Sequence, residues 1–259
     1  MGGLKHGIIQ PMDVSVTEVL NAGLFSGVPE EEIPGLLEAV GSVRRDVARG
    51  TCVFKEGDQA RTGYIVISGR LVVAEDLGGG RKHIVRDLSP GNGVGVSLIL
   101  SDSPEWGKVD GMALPYSDRL GPGMVPIWPG SAMAVEDSTL LAFDLLKMRQ
   151  CLHDPSPRFH QIRLNAMRML CEFLANIWLK LTVLDAHSIE DRVMLYLRRL
   201  DIGGARTGIV RVPFDREQFA RYLGVNRSAL SRTLSKLRST GRLDWRKHDF
   251  YLKPAIELH

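Results

Sequence analysis

The chain has 259 residues, enough for one large domain or two ordinary ones, with 44% hydrophobic and 24% charged residues, a globular composition. No apolar run approaches the roughly 18–20 residues that span a bilayer, which excludes a membrane protein. Residues 1–13 carry one Lys and no sustained apolar core, so they do not read as a signal peptide, and a cytoplasmic location is expected. Cys52, Cys151 and Cys171 are odd in number and widely spaced, which argues against a disulfide framework or a Cys-x-x-Cys metal site and for free buried thiols. The net charge of +3 conceals a division: residues 188–259 hold 15 Lys+Arg against 8 Asp+Glu, and residues 1–187 hold 18 against 22. A basic module joined to an acidic one suggests a polyanion partner for the former.

In chain order, Thr17 to Val40 has helical apolar spacing, with Pro29 and Pro34 near helix starts. From Val43 to Leu88 the pattern becomes short β-branched runs, Thr51–Phe54, Tyr64–Ile67 and Leu71–Ala74, punctuated by Gly57, Gly69 and Gly78-Gly79-Gly80. His83–Val85 and Leu140–Phe143 add further strands. Many short strands with glycine turns predict an antiparallel sandwich or barrel. Residues 101–130, with five prolines and both Trp106 and Trp128, break this rhythm and read as an insertion in it.

Pro157 opens a helical segment running to about Ala186. Within it Met167, Leu170, Leu174, Ile177, Leu181 and Leu184 are spaced 3, 4, 3, 4, 3, the signature of a two-chain coiled-coil seam. Ala166, Met169 and Phe173 form a second apolar face, free to pack on the barrel. One helix buried on several sides of a monomer is the alternative to a dimer seam. Ser188 with Asp191 predicts a cap opening a helix from Ile189 to Leu200, and Ile209 to Val212 reads as a short strand.

After Pro213 the signals concentrate. Asp215 caps a helix from Arg216 to Leu223, Gly224 permits a tight turn, and Val225 is an apolar plug. Asn226 caps a second helix from Arg227 to Ser239 with Leu230, Leu234 and Leu237 inward and Gly241 past its end. Two short helices about a glycine turn form a helix-turn-helix. The outward face of the second presents Arg227, Ser228, Ser231, Arg232, Ser235 and Lys236, suited to guanine edges and phosphates in a major groove. Leu243–Trp245 and Phe250–Leu252 read as a two-stranded wing with a basic tip.

These residues resemble the CRP/FNR family, that of the catabolite activator protein and the fumarate-nitrate reduction regulator. The barrel signature is Val53-Phe54-Lys55-Glu56-Gly57-Asp58, then Tyr64 to Gly69 and Pro90-Gly91. The DNA-binding signature is Ala220 to Arg227, then Ser231-Arg232-Thr233-Leu234 and Leu237. The resemblance implies an α+β protein in three parts: an N-terminal cupin-like β-roll (double-stranded β-helix) sensor over residues 14–153, a long dimerisation helix over 155–187, and a C-terminal winged helix-turn-helix over 188–259. It also implies a homodimer on double-stranded DNA, with RNA polymerase as a partner if the protein activates.

The effector implied by the family is harder to place. Members that bind cyclic AMP carry Gly-Glu and Arg-Ser in the barrel; here Gly95 is followed by Val96, and the Arg-Ser position falls near Trp128-Pro129. The polar pair that those members place on the long helix falls near Ile177-Trp178. Without the arginine a buried phosphate charge would be uncompensated, so cyclic AMP is not expected. Gly95, Val96, Trp128, Ile177 and Trp178 instead define an apolar pocket for an uncharged or aromatic effector, or one filled by its own side chains. Residues 1–51 contain no Cys, so the family's iron–sulfur cluster is not expected, and no His pair has zinc spacing. Haem, with His83, His160, Cys52 or a Met as axial ligand, is an alternative, as is a constitutive DNA-binding protein with a ligandless barrel. A cupin-type enzyme would need a His and carboxylate cluster that the sequence does not display. Where many members place a Glu that accepts from cytosine, this chain has Ser228.

Overall fold

The computed structural model describes residues 16–20, 22–76, 82–100, 108–109, 112–113, 126–203 and 207–253. They form two compact units, one of Met1–Glu75 with Asp87–Glu172, the other of Asp76–Arg86 with Phe173–His259. The expected Gly78–Gly80 turn and most of the expected insertion lie outside the described residues.

The first unit begins with α1 (Val16–Leu20), a 3₁₀ turn at Glu30–Glu32 and α2 (Ile33–Ala39). The helical stretch expected over residues 17–40, with helix starts near Pro29 and Pro34, is thus two helices and a 3₁₀ turn. Pro29 and Pro34 divide it because proline suits only the first turn of a helix. Strands follow as β1 (Val43–Val47), β2 (Cys52–Phe54), β3 (Thr62–Ser68), β4 (Leu71–Asp76), β5 (Lys82–Leu88) and β6 (Gly93–Val94). After α3 (Val96–Leu100) come the short pair β7 (Lys108–Val109) and β8 (Met112–Ala113), then β9 (Ser131–Ala134), β10 (Ser138–Asp144) and α4 (Leu145–His153). Two four-stranded sheets result, ordered β1-β10-β3-β6 and β2-β9-β4-β5, a β-roll of antiparallel pairs. The two sheets share a core in which Ile65, Leu71, Leu88, Leu140 and Phe143 are buried, as sheet-on-sheet packing requires. Gly69 turns β3 into β4 at φ 81°, and a Cβ there would lie 2.3 Å from Ser138 Oγ, so only glycine fits.

Helix α4 was not legible in the sequence. Asp144 caps it by accepting from the Lys147 amide at 3.0 Å, and Leu145, Met148 and Cys151 are its buried face. Cys151 is thus the buried thiol expected of all three cysteines, whereas Cys52 and Cys171 are exposed. The expectation fails for those two because each sits on the outward side of an amphipathic element.

Helix α5 (His160–Asp185) runs unbroken through the predicted helical stretch. In the first unit its buried face is Ile162, Ala166 and Met169, and the Asn165 side-chain amide donates to the carbonyls of Leu24 (2.9 Å) and Ser26 (2.8 Å). The second unit continues with α6 (Ile189–Gly203), β11 (Ile209–Arg211), α7 (Arg216–Tyr222), α8 (Arg227–Ser239), β12 (Leu243–Arg246) and β13 (Asp249–Leu252). The wing has three strands, ordered β11-β13-β12, not the two expected, because β11 supplies the outer edge of β13.

Asp87 carries one pH-dependent element of the roll. It pairs with Arg70 at 2.5 Å, but its Oδ1 is buried without a hydrogen-bond partner, and burial pushes its carboxyl up to about 6. An ordinary aspartate ionises near ~3.9, so between those values the folded protein binds more protons than the unfolded chain. The contribution of Asp87 to stability therefore falls as pH rises through that window. The melting temperature of the wild type minus that of Asp87→Asn should drop by a few degrees between about pH 4 and about pH 6; a flat difference would assign the pair no such role.

Candidate nucleic-acid interface

The reading head is assembled from local signals that act together. Asp215 and Gln218 form a reciprocal capping box: the Gln218 amide donates to Asp215 Oδ1 at 2.7 Å, and the Asp215 amide donates to Gln218 Oε1 at 3.0 Å. Gly224, at φ 68°, makes the left-handed turn between α7 and α8. Asn226 then accepts from the Ala229 amide at 2.7 Å and starts α8. At the other end Gly241, also left-handed, lets the Arg242 amide donate to the Leu237 carbonyl at 3.0 Å and closes the helix. Leu230, Leu234 and Leu237 are buried beneath α8, against a core that includes Phe219 and Leu223. Val225, expected as a plug, is only half-buried.

This anchoring leaves the opposite face of α8 in solvent. Arg227, Ser228, Ser231, Arg232, Ser235 and Lys236 are all exposed, as the spacing predicted. Two features qualify that reading. Lys236 is not a free cation, since its ammonium pairs with Glu190 at the start of α6, and Arg242 lies 3.6 Å from the same carboxylate. Sequence reasoning also missed the link between α8 and the wing. The Arg238 guanidinium stacks 3.7 Å from the Trp245 ring centroid and donates to Asp244 Oδ1 and to the Trp245 carbonyl, each at 2.6 Å. The Trp245 amide and Arg238 together hold the Asp244 carboxyl below its usual range. An Arg in the last turn of a recognition helix, with Asp-Trp in the next strand, was the available signal.

On the other side of the head, Lys180 of α5 is buried. Its ammonium donates to the Tyr222 carbonyl at the end of α7 and lies 3.7 Å from the Tyr222 ring centroid. Burial pushes this lysine down to about 7. Arg192 of α6 donates to the Leu223 carbonyl at 3.2 Å, so two basic side chains satisfy the carbonyls that end α7.

The residues expected to form an effector pocket divide between the two units. In the first, Val96 and Trp128 are buried in the roll core, and Trp128 stacks on Phe54 at 3.8 Å between centroids, with Tyr64 on Phe54 at 6.0 Å. Gly95 packs close to Gly63 and Leu145, within 3.0 Å of a Cβ placed on it. In the second, Ile177 is half-buried and Trp178 is 73% exposed. The six seam residues divide as well: Met167, Leu174 and Leu181 are exposed, whereas Leu170, Ile177 and Leu184 are half-buried. Leu184 faces the Gly224 turn. The exposed stripe is Leu164, Met167, Cys171, Leu174, Trp178 and Leu181, which keeps the 3, 4, 3, 4, 3 spacing. Of the haem-ligand alternatives, His160 and Cys52 are exposed and His83 is half-buried, its protonation disfavoured by burial and by Lys180. Among the described residues no group of three or more His, Cys, Asp and Glu is placed to hold a metal ion. Nor, among them, is any helix long and apolar enough to cross a membrane.

A β-roll and a winged helix-turn-helix on one chain define a DNA-binding transcription regulator, not an enzyme. Residues 44–109 match the cyclic nucleotide-binding domain family and residues 191–254 match the Crp-like helix-turn-helix domain. The chain is 23% identical over 224 residues to the CRP-like cAMP-activated global transcriptional regulator of Mycobacterium tuberculosis, covering 85% of this chain and 87% of that one. Its fold is similar to that of the c-di-GMP-responsive global regulator CLP of Xanthomonas campestris (TM-score 0.63, 21% identity, 88% of this chain and 100% of that one). It is also similar to a CooA mutant from Carboxydothermus hydrogenoformans (TM-score 0.65, 16% identity, 94% and 93%). The chain belongs to the CRP/FNR family of transcription regulators.

The turn between α7 and α8 provides a direct check of the head. Gly224→Ala forces a side chain into the left-handed region, with its Cβ 3.2 Å from Leu184, and should cost about 1–2 kcal/mol in chemical denaturation. An unchanged midpoint would mean that the turn tolerates a Cβ and does not fix the angle between the helices.

Proposed function

We propose that this regulator is a homodimer that reads DNA with the exposed face of α8, under the control of an effector other than cyclic AMP. The observation that carries the reading role is the outward face itself, where Arg227, Ser228, Ser231 and Arg232 stand in solvent on a helix fixed from beneath by three buried leucines. Arg232 lies about one turn beyond Arg227 and Ser228, where its planar fork suits guanine O6 and N7. Lys236 is the phosphate contact of the set, released from Glu190 when DNA is bound. If the protein activates transcription, RNA polymerase is a further partner.

The stripe on α5 supports dimerisation. Met167, Leu174, Trp178 and Leu181 are between 55% and 73% exposed, a row of large apolar side chains at coiled-coil spacing that a second copy of α5 would cover. Two recognition helices would then address half-sites one helical turn apart, roughly 34 Å. An effector that alters the packing of α5 would act on the reading heads through this helix.

The argument against cyclic AMP is chemical. At the positions where nucleotide-binding members hold the phosphate, this chain has Val96 and Trp128, both apolar, buried and packed among core side chains. A cyclic phosphate there would be desolvated without a partner cation. A second reading, a constitutive regulator with a ligandless roll, is favoured by the Phe54–Trp128 stack, which supplies from within the chain the aromatic surface that a ligand would otherwise offer. A mass spectrum and an ultraviolet-visible spectrum of natively purified protein separate the two, since a retained small molecule or chromophore appears only in the first.

Three measurements test this function. Leu174→Asp with Leu181→Asp should give monomers in sedimentation, because it places charges in the apolar seam; a persistent dimer would locate the seam elsewhere. Calorimetric titration with cyclic AMP should show no saturable binding at micromolar nucleotide, and saturation would overturn the assignment of Val96 and Trp128. Against a library of randomised sites, Arg232→Ala should lose on the order of 1–3 kcal/mol per half-site and relax preference at one base pair. Lys236→Ala should weaken all sequences alike and reduce the salt dependence. A uniform loss in Arg232→Ala would remove Arg232 from the reading role.

A further inference from the structure

Lys180, 7% exposed, is the one charged side chain buried to that degree among the described residues. Its ammonium donates to the Tyr222 carbonyl and lies 3.7 Å from the Tyr222 ring centroid, so both contacts are to neutral groups. Charged and titratable groups reach it from three elements. Tyr222 comes from α7. From α6 comes Arg192, which donates to the Ala186 carbonyl at 3.3 Å and to the Leu223 carbonyl at 3.2 Å. Strand β5 supplies His83, near enough that the Lys180 charge disfavours its protonation. It also supplies Arg86, 4.9 Å from the ring centroid of Phe173, which stands two turns before Lys180 on α5. All of these are neutral or basic, and among the described residues no carboxylate offsets the buried ammonium.

A buried cation without a counter-ion costs free energy that loss of its proton relieves. What Lys180 holds is the joint of the reading head. The Tyr222 carbonyl lies two residues before Gly224, whose left-handed turn leads into α8. Leu184, one helical turn after Lys180, faces the same Gly224. The contact of α5 with the head is therefore built around one ionisable group in a basic, apolar setting.

We propose that Lys180 is a proton-binding site that governs docking of the reading head on α5: loss of its proton secures the head, and uptake of one frees it. Burial holds Lys180 down to about 7 in the docked head, whereas a lysine in water ionises at about 10.4. Between those values the free head binds the extra proton, so rising pH favours docking and falling pH favours release. His83, also pushed down by burial, acts with the same sign at the acid end. For Lys180 alone the docking constant falls about tenfold from about pH 8 to about pH 6. A docked head keeps the outer face of α8 in solvent and at a set position on α5, whereas a free head must be ordered when it binds. Acid therefore weakens DNA binding. This consequence rests on the reading of α8 given above; the docking itself does not.

The test uses full-length protein. Lys180→Gln keeps a donor for the Tyr222 carbonyl and does not titrate; Lys180→Met is apolar and of similar length. Proteolysis at the junction of α5 and α6, where His187 and Ser188 are exposed, follows the released population. Taking the wild type relative to Lys180→Gln at each pH cancels the pH dependence of the protease. That ratio of cleavage rates should rise by up to about tenfold from about pH 8 to about pH 6. Over the same interval the affinity of the wild type for a site selected from a randomised library should fall relative to Lys180→Gln. Lys180→Met should be as insensitive to pH as Lys180→Gln. In the wild type alone, trace acetylation of Lys180 read by mass spectrometry should titrate with a midpoint of about 7, and a midpoint of about 10 overturns the proposal whether or not the variants fold. A flat cleavage ratio overturns it, as does cleavage that follows pH while DNA affinity does not. A pH dependence that persists in both Lys180 variants and disappears in His83→Gln assigns the effect to His83 and also overturns it. Failure of the wild type to select any site, with the cleavage and acetylation results as expected, would instead refute the reading of α8.

Discussion

Helix α5 carries more apolar surface than either compact unit buries, and much of the molecule's behaviour follows from that excess. Its Ile162, Ala166 and Met169 belong to the core of the roll, and its Lys180 and Val183 are buried in the second unit. A third face, running from Leu164 to Leu181, is left in water. Covering large apolar side chains is favourable by roughly 25 cal/mol per Å², so an uncovered stripe of this length is a strong drive to association. The spacing of the stripe is that of a coiled-coil seam, which a second copy of the helix would cover.

In the reading head local caps, a turn and buried leucines do the holding, and the cations of α8 face outward. Caps at Asp215 and Asn226, a left-handed turn at Gly224 and three buried leucines fix the angle between α7 and α8 without using the cations of the outer face. Those cations differ in how they are held before any DNA arrives. Lys236 and Arg242 share Glu190, Arg238 is tied to Asp244 and Trp245, and Arg216 lies over Trp245 with no ion pair among the described residues. Surface pairs such as Lys236–Glu190 are weak in water and give way to a phosphate at little cost.

In the roll, the frame and the lining of the interior are set by different features of the chain. Its two four-stranded sheets and its glycine turns are those of a cyclic nucleotide-binding domain. Its interior at Val96, Trp128, Phe54 and Tyr64 is aliphatic and aromatic. Sheet topology depends on backbone pairing and on alternation of buried positions, and neither requires a cation inside.

The sequence by itself determined the order of the parts and the whole of the helix-turn-helix. The reason is that its signals are local: Asp215, Gly224, Asn226 and Gly241 act on backbone groups within four residues of themselves. It also determined that α5 is one long helix, since periodicity needs no partner to be visible. Tertiary structure alone decided what depends on residues distant in the chain. Pairing of β11 with β13 made the wing three-stranded, and packing set Leu184 against the Gly224 turn while Trp178 remained exposed. The approach of Arg216 and Arg238 to Trp245 was equally invisible, because residues so far apart in the chain become neighbours only when α7, α8 and the wing have folded against one another.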